Sequence, residues 1–173
     1  MVSAFGGFVE VVWLGHRTVD CDRHPKRLDV DPVTVSAGAF GAGLPARDLV
    51  LSPEHAVHVD GVLIPVRYLI NGTTIRQTRV PGVTYWHLEL PAHDVVLAEG
   101  LPCESYLNTD GYEQFDNWSS APAVDHLSKP CARIVTQGSR LEGARKKLRE
   151  IAEQLRPDEE PFLHQRPRLL VDA

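Results

Sequence analysis

Turn signals interrupt this sequence at short and regular intervals. Between residues 8 and 106, runs of β-branched and apolar residues alternate with Gly, Pro, Asn or Asp about every 8 to 12 residues. Asp60-Gly61 accepts the positive φ angles of a two-residue hairpin turn, and Asn71-Gly72 predicts a second hairpin. Because no amphipathic segment of about 10 to 15 residues separates these runs, a parallel α/β fold is disfavoured. The region is predicted to be a mainly β domain.

The sequence changes character after Asn108. Ser, Pro, Asp and Gly are frequent up to residue 138, which is typical of a loop excursion. Apolar residues at helical spacing then predict one amphipathic helix, with Ser139 and Glu142 as a capping box and Pro157 as its stop. The predicted segments are a β domain (1–108), a loop excursion (109–138), a C-terminal helix packed on the domain (139–156) and a tail (157–173). The predicted buried helix face comprises Leu141, Ala144, Leu148, Ile151, Ala152 and Leu155.

Charge and hydropathy argue against a nucleic-acid partner, a membrane span and a signal peptide. The net charge is -5, and no basic stripe with interleaved aromatic residues occurs, so no nucleic-acid partner is predicted. No apolar run approaches the roughly 18 residues that a membrane span needs. The N-terminus has no basic region before its apolar part, as a signal peptide would. A cytoplasmic location is therefore expected by default, and export as part of a longer precursor stays open.

The three cysteines do not indicate a disulfide framework or a metal centre. Their number is odd, their spacing is irregular, and no Cys-x-x-Cys pair occurs. His16, Cys21 and His24 form the nearest approach to a zinc pattern, but a second pair of ligands is missing. Polar residues in a turn-rich region are the favoured interpretation, and no metal or cofactor is predicted.

Two histidines precede apolar runs in a similar way. Side chains alternate along a strand, so His55 shares a face with Val57 and Val59 and points toward the core. His93 shares a face with Val95 and Leu97 by the same parity. Each histidine is either a structural residue bonded to a buried partner or a general acid-base group. Two strands that each begin with an inward histidine can bring both imidazoles to one edge of a sheet.

The remaining candidates are weaker. His87 shares a strand face with Tyr85 and Glu89, and a polar strand face is its favoured interpretation. Cys103 lies closest to a candidate site but is expected to be a small buried hydrophobe. His16, His24, His58, His126 and His164 carry no functional signal. The sequence contains no nucleophile elbow, P-loop, dinucleotide fingerprint or His-Glu-x-x-His motif.

The two histidine-bearing stretches resemble a known family. "LSPEHAVHVDGVLIPVRYLING" and "YWHLELPAHDVVLAEGLPCESYL" are similar to the bacterial branch of the Hint domains, the Hedgehog/intein autoprocessing fold. "VVWLGHRTVDCDRHP" and "CARIVTQGSRLEGARKKL" are similar to the same group, so the resemblance covers roughly residues 9 to 155. It implies a flat β disk of short and bent strands. It also implies an acyl shift, in which a first-position Cys or Ser attacks the preceding peptide bond.

The resemblance also implies roles for particular residues. Ser52-x-x-His55 matches the family's Thr/Ser-x-x-His motif, and His93 matches its second histidine. Asp94 and His87 stand at motif positions whose roles vary. The implied partner is the chain's own precursor polypeptide or an N-terminal fragment.

The sequence departs from the family pattern at its start. The Cys-Phe-x-x-Gly-Thr block is missing, and Ser3 is the only hydroxyl or thiol residue before the first matched strand. "EGLPCESYL" stands where inteins carry a terminal His-Asn pair. The resemblance therefore implies an N-terminally truncated Hint-like domain that is inactive alone. The alternative is a non-catalytic β binding or structural module, which predicts that His55 and His93 lie more than about 10 Å apart, beyond shared hydrogen-bond reach.

Overall fold

A computed structural model describes residues 2–3, 7–109, 111–122 and 129–155. It confirms a mainly β fold with short strands and one C-terminal helix, α1 (Ser139–Gln154). The predicted tail, the stop at Pro157, His126 and His164 lie outside the described residues. The strands are β1 (Val2–Ser3), β2 (Gly7–Phe8), β3 (Trp13–Asp20), β4 (Val33–Val35), β5 (Leu49–Leu51), β6 (Ala56–Val59), β7 (Val62–Pro65), β8 (Ile75–Gln77), β9 (Gly82–Glu89), β10 (Val95–Ala98), β11 (Leu101–Glu104) and β12 (Arg133–Ile134).

The strands form three sheets within the described part of the chain. The largest has the order β12-β7-β6-β11-β10-β1-β2, and only its β12–β7 pair is parallel. A long ribbon pairs β3 with β9, and a third sheet has the order β5-β4-β8. In the largest sheet β11 lies between β6 and β10. The strands that follow the two candidate histidines therefore flank one common neighbour.

Turn chemistry explains which hairpins form. Asp60 and Gly61 adopt φ angles of 48° and 80°, which confirms the predicted hairpin between β6 and β7. The prediction at Asn71-Gly72 is wrong, because residues before it form a 3₁₀ turn instead of a strand. The Asn71 side chain accepts hydrogen bonds from the backbone N–H groups of Thr73 and Ile75. This side-chain turn replaces the backbone pairing that a hairpin requires.

Helix α1 completes the main core. Leu141, Ala144 and Leu148 are buried in one cluster with residues of β4, β6, β7 and β8. The predicted capping box is wrong. The N-cap is Gly138, and no side chain caps the helix, because Ser139 already lies inside its first turn. The Glu142 carboxylate accepts a hydrogen bond from Arg145 instead.

The described parts of the loop excursion attach to two different sheets. Trp13 of β3 contacts the rings of Tyr112 and Phe115, each with its centroid 4.9 Å away. On the other side, β12 joins the edge of the largest sheet beside β7. Among the described residues, no helix has the length and apolar character needed to cross a bilayer.

Candidate active site

A cleft of about 510 Å³ opens where β6, β9 and β11 approach each other. Most of its wall is apolar, and Trp86 and Tyr106 contribute aromatic surface. His55, His87 and Glu104 also line it, which places two imidazoles and a carboxylate in a largely apolar recess. This combination is typical of a site where burial adjusts proton affinities.

His55 lies in a loop that is fixed from both sides. Its N–H donates to the carbonyl of Ser52 at 3.0 Å, and its own carbonyl accepts from Val66 N at 2.9 Å. Arg67 N donates to the carbonyl of Pro53 at 3.0 Å. Strand β6 begins one residue later than the sequence predicts, so His55 stands just before the strand instead of within it. Ser52 lies beside His55 in the same cleft wall.

His93 is enclosed and held in one tautomer. Its side chain is 0% exposed, and Cys131 N–H donates to its Nδ1 at 2.9 Å. Because Nδ1 accepts this bond, the neutral ring carries its proton on Nε2. Nε2 lies 3.5 Å from Glu104 Oε2. It has no hydrogen-bond partner within normal distance among the described residues.

Glu104 is the residue that sequence reasoning missed. It ends β11, and its Oε1 accepts a hydrogen bond from Ala56 N at 2.6 Å. Its Oε2 faces His93, so one carboxylate contacts the segments of both predicted histidines. The sequence feature that points to Glu104 is the turn at Glu99-Gly100, because a two-residue turn there pairs Val95 of β10 with Glu104 of β11. That register places Glu104 next to the segment that holds His93.

The pKa values of His55 and His87 reflect burial. Loss of solvent lowers the pKa of His55, and the nearby His93 lowers it too. The charge of Glu104 and a hydrogen bond to the main chain of Glu104 act in the opposite direction and raise the pKa of His55. Loss of solvent also lowers the pKa of His87 to about 4, helped by His55 and Arg17 and opposed by Glu104. Both imidazoles are therefore neutral at neutral pH.

His87 lies on the predicted polar face of β9, but aromatic residues cover that face. Its ring packs edge-on against Phe115 at 5.0 Å and against Tyr106 at 5.6 Å. Trp86, on the opposite face of β9, is the exposed residue at 60%. The sequence did not show that this face is covered, because the aromatic residues that contact His87 come from a segment after residue 104.

Asp94 and the cysteines have structural contacts. Asp94 Oδ1 accepts a hydrogen bond from Val95 N, and Asp94 N–H donates to Ser105 Oγ at 3.0 Å, so the start of β10 is tied to the end of β11. Cys103 is 1% exposed, and burial raises the pKa of its thiol to about 12. It is therefore a protonated thiol at neutral pH and a poor nucleophile.

The zinc pattern does not assemble in the structure. Cys21 is buried with its thiol directed at the carbonyls of Val19 and Val30, and His24 contacts Lys26. His16 faces Asp116 at 3.4 Å. Across the described ranges, no group of three or more His, Cys, Asp or Glu side chains is arranged to hold a metal ion.

Comparison with known proteins gives one match. A family model described as "Hint domain" matches residues 1–110. No curated protein and no solved structure matches the chain significantly. The matched region contains His55, His87, His93 and Glu104, whereas Cys131 and helix α1 lie beyond it.

Proposed function

Because the family model matches more than half of the chain, the chain belongs to the Hint domain family, and we propose that it carries the acid-base half of a self-processing site. His55 is the acid-base group, and His93 is its partner through Glu104. The observation that supports this assignment is their convergence on Glu104 from separate parts of the sequence. The alternative of a non-catalytic β module predicted that the two rings lie far apart, and their shared contact with Glu104 weighs against it.

The proposed chemistry is an acyl shift of the Hedgehog/intein type. A hydroxyl or thiol attacks the preceding carbonyl carbon, a C–O or C–S bond forms, and the C–N bond of the scissile peptide breaks. The proton of the nucleophile must reach the departing nitrogen, because an unprotonated amide nitrogen is a poor leaving group. Neutral His55 takes this proton and delivers it, and its lowered pKa makes the protonated ring a strong donor. His93 acts through Glu104, because its Nε2–H faces Glu104 Oε2 and its Nδ1 accepts from Cys131 N–H.

Ser52, Asp94 and His87 support this pair. Ser52 holds the loop of His55 through its carbonyl. Asp94 anchors the start of β10 next to His93. His87 lines the cleft as a neutral ring, so it adds no second positive charge beside His55.

We propose further that this chain does not cleave a peptide bond by itself. Residues 1–173 contain no Cys-Phe-x-x-Gly-Thr block, and Cys103 is a protonated thiol. The nucleophile and the scissile bond then come from the chain's own precursor polypeptide or from an N-terminal fragment. Strand β1 supports this route, because Ser3 pairs with Val96, and Val96 lines the cleft. A segment that enters along β1 therefore reaches the sheet beside the histidines.

Release of an N-terminal tag tests the proposal. The chain is expressed with the tag fused directly to it, and also with a Cys-Phe-x-x-Gly-Thr block inserted between them. We expect release only with the block, and loss of release on His55→Ala by about 100-fold or more, the range over which positioned acid-base groups act. His58→Ala, on the strand that follows His55, is the control that should retain release. Release from the chain without the block, or release indifferent to His55→Ala, contradicts the proposal.

A further inference from the structure

We infer that Glu104 is a positioning residue of this site, which links the His55 segment to the His93 ring and so holds the His55 loop in one arrangement beside the cleft. The inference rests on the proposed function for its catalytic consequence. Its structural part stands on contacts within the chain and can be measured without any processing reaction.

The first step is the position of Glu104 in the sheet. Strand β11 is the neighbour of both β6 and β10, and Glu104 is its last residue. Its register partner on β10 is Val95, two residues after His93. On the other side, Ala56 follows His55 directly and donates its N–H to Glu104 Oε1 at 2.6 Å. One side chain therefore spans the gap between two segments that no turn connects.

The second step is the pattern of donors around the carboxylate. A carboxylate offers only acceptors, and both groups that face it are N–H donors, Ala56 N–H and His93 Nε2–H. The His93 proton is on Nε2 because Cys131 N–H occupies Nδ1. The 3.5 Å separation from Glu104 Oε2 exceeds a hydrogen bond by about 0.5 Å, so the carboxylate faces the ring N–H without a hydrogen bond of normal length.

The third step is that a carboxamide cannot replace this carboxylate. In Glu104→Gln the amide oxygen can accept from Ala56 N–H or from His93 Nε2–H, and the amide NH₂ must face the other donor. If His93 moves its proton to Nδ1 to accept from that NH₂, the proton meets Cys131 N–H. Every arrangement leaves one pair of donors facing each other in a buried place, where unsatisfied polar groups are costly.

The fourth step concerns charge. The groups that shift the pKa of His55 are Glu104 from β11 and His93 from the loop before β10, and His55 in turn lowers the pKa of His87 on β9. Only Glu104 opposes the effect of burial. Removal of its charge therefore lowers the pKa of His55 further, which makes the neutral ring a weaker acceptor for the proton of the nucleophile.

Histidine ring NMR on the unprocessed chain is the first measurement. We expect His93 to show a single neutral tautomer with its proton on Nε2, and Glu104→Gln to shift its ring nitrogens toward a mixture and to lower the pKa of His55. Glu104→Asp keeps both acceptor oxygens and should preserve the His93 tautomer. If Glu104→Gln does not fold, the tautomer of His93 is measured in Glu104→Asp instead. Glu99→Gln is the matched control, since it makes the same change at the other end of the same hairpin. An unshifted His93 in Glu104→Gln, or a lost tautomer in Glu104→Asp, overturns the inference.

The second measurement is tag release from the precursor that carries the nucleophile block. We expect Glu104→Gln to slow release about 100-fold, the scale of a displacement of about 1 Å in a positioned group. Glu104→Asp should recover part of the rate, and Glu99→Gln should match the unsubstituted precursor. Equal rates for Glu104→Gln and the unsubstituted precursor overturn the catalytic consequence. If no precursor releases its tag, the proposed function fails while the ring NMR still decides the role of Glu104.

Discussion

The ring of His87 shows how one residue's environment sets its chemistry. Burial against Phe115 and Tyr106 lowers its pKa to about 4, from an ordinary value of 6.5. Between these two values the unfolded chain binds a proton that the folded chain excludes, so stability rises with pH across the window. We expect the free energy of unfolding to fall as pH drops from about 6.5 to about 4, measured by urea denaturation.

A His87→Phe variant isolates that contribution. Phenylalanine keeps an aromatic ring against the same neighbours but cannot titrate. The pH slope should become shallower without disappearing, because the lowered pKa of His55 acts in the same direction. An unchanged slope in this variant would show that His87 does not titrate as its surroundings indicate.

The sequence indicated the two histidines but not the group between them. His55 and His93 each precede a run of alternating apolar residues, which is a local pattern that one strand displays by itself. Glu104 has no such pattern, since its importance depends on β11 lying between β6 and β10. The Cys131 N–H that fixes His93 is a backbone group, and no side-chain motif announces it. Contacts between distant segments are what a single sequence leaves undetermined.

At the scale of elements, the period of α1 was a strong signal, whereas its cap was not. Four apolar residues of the predicted face are buried, because a 3.6-residue period repeats over the whole helix. A cap depends on one residue's backbone angles. Gly138 takes a φ of 91°, which a serine disfavours, and so the helix begins after it without a side-chain cap.

The packing of α1 leads to a stability prediction. Leu148 is 3% exposed in the main core, whereas Leu155, at the end of the same helix, is 48% exposed. Leu148→Ala should destabilise the whole β domain by about 2 to 5 kcal/mol, and Leu155→Ala by about 1 kcal/mol or less. Denaturant unfolding followed by tryptophan fluorescence measures both changes. Equal small effects would mean that the helix is an appendage and not part of the core.

At the scale of the whole molecule, the site and the core both need segments that lie far apart in the chain. His55 and His93 come from the family-matched part, and the amide that orients His93 comes from residue 131, beyond it. Val135 and the buried face of α1 close the same core from the same later region. The matched part alone therefore lacks both a wall of its core and a contact of its site.

A chain that ends at residue 110 tests this dependence. Its loss of β12 leaves the backbone groups of β7 unpaired at an open sheet edge, which favours aggregation. Its loss of Leu141, Ala144 and Leu148 exposes the apolar residues they cover, and each missing leucine costs roughly 2 to 5 kcal/mol. That sum approaches the total stability of an ordinary domain, about 5 to 15 kcal/mol. We expect the shortened chain to lose cooperative thermal unfolding in circular dichroism, while the full chain, run in parallel, retains it. A cooperative transition at the same midpoint in both chains would show that residues 129–155 are dispensable for folding. The tautomer of His93 would then have to be fixed by a group other than Cys131 N–H.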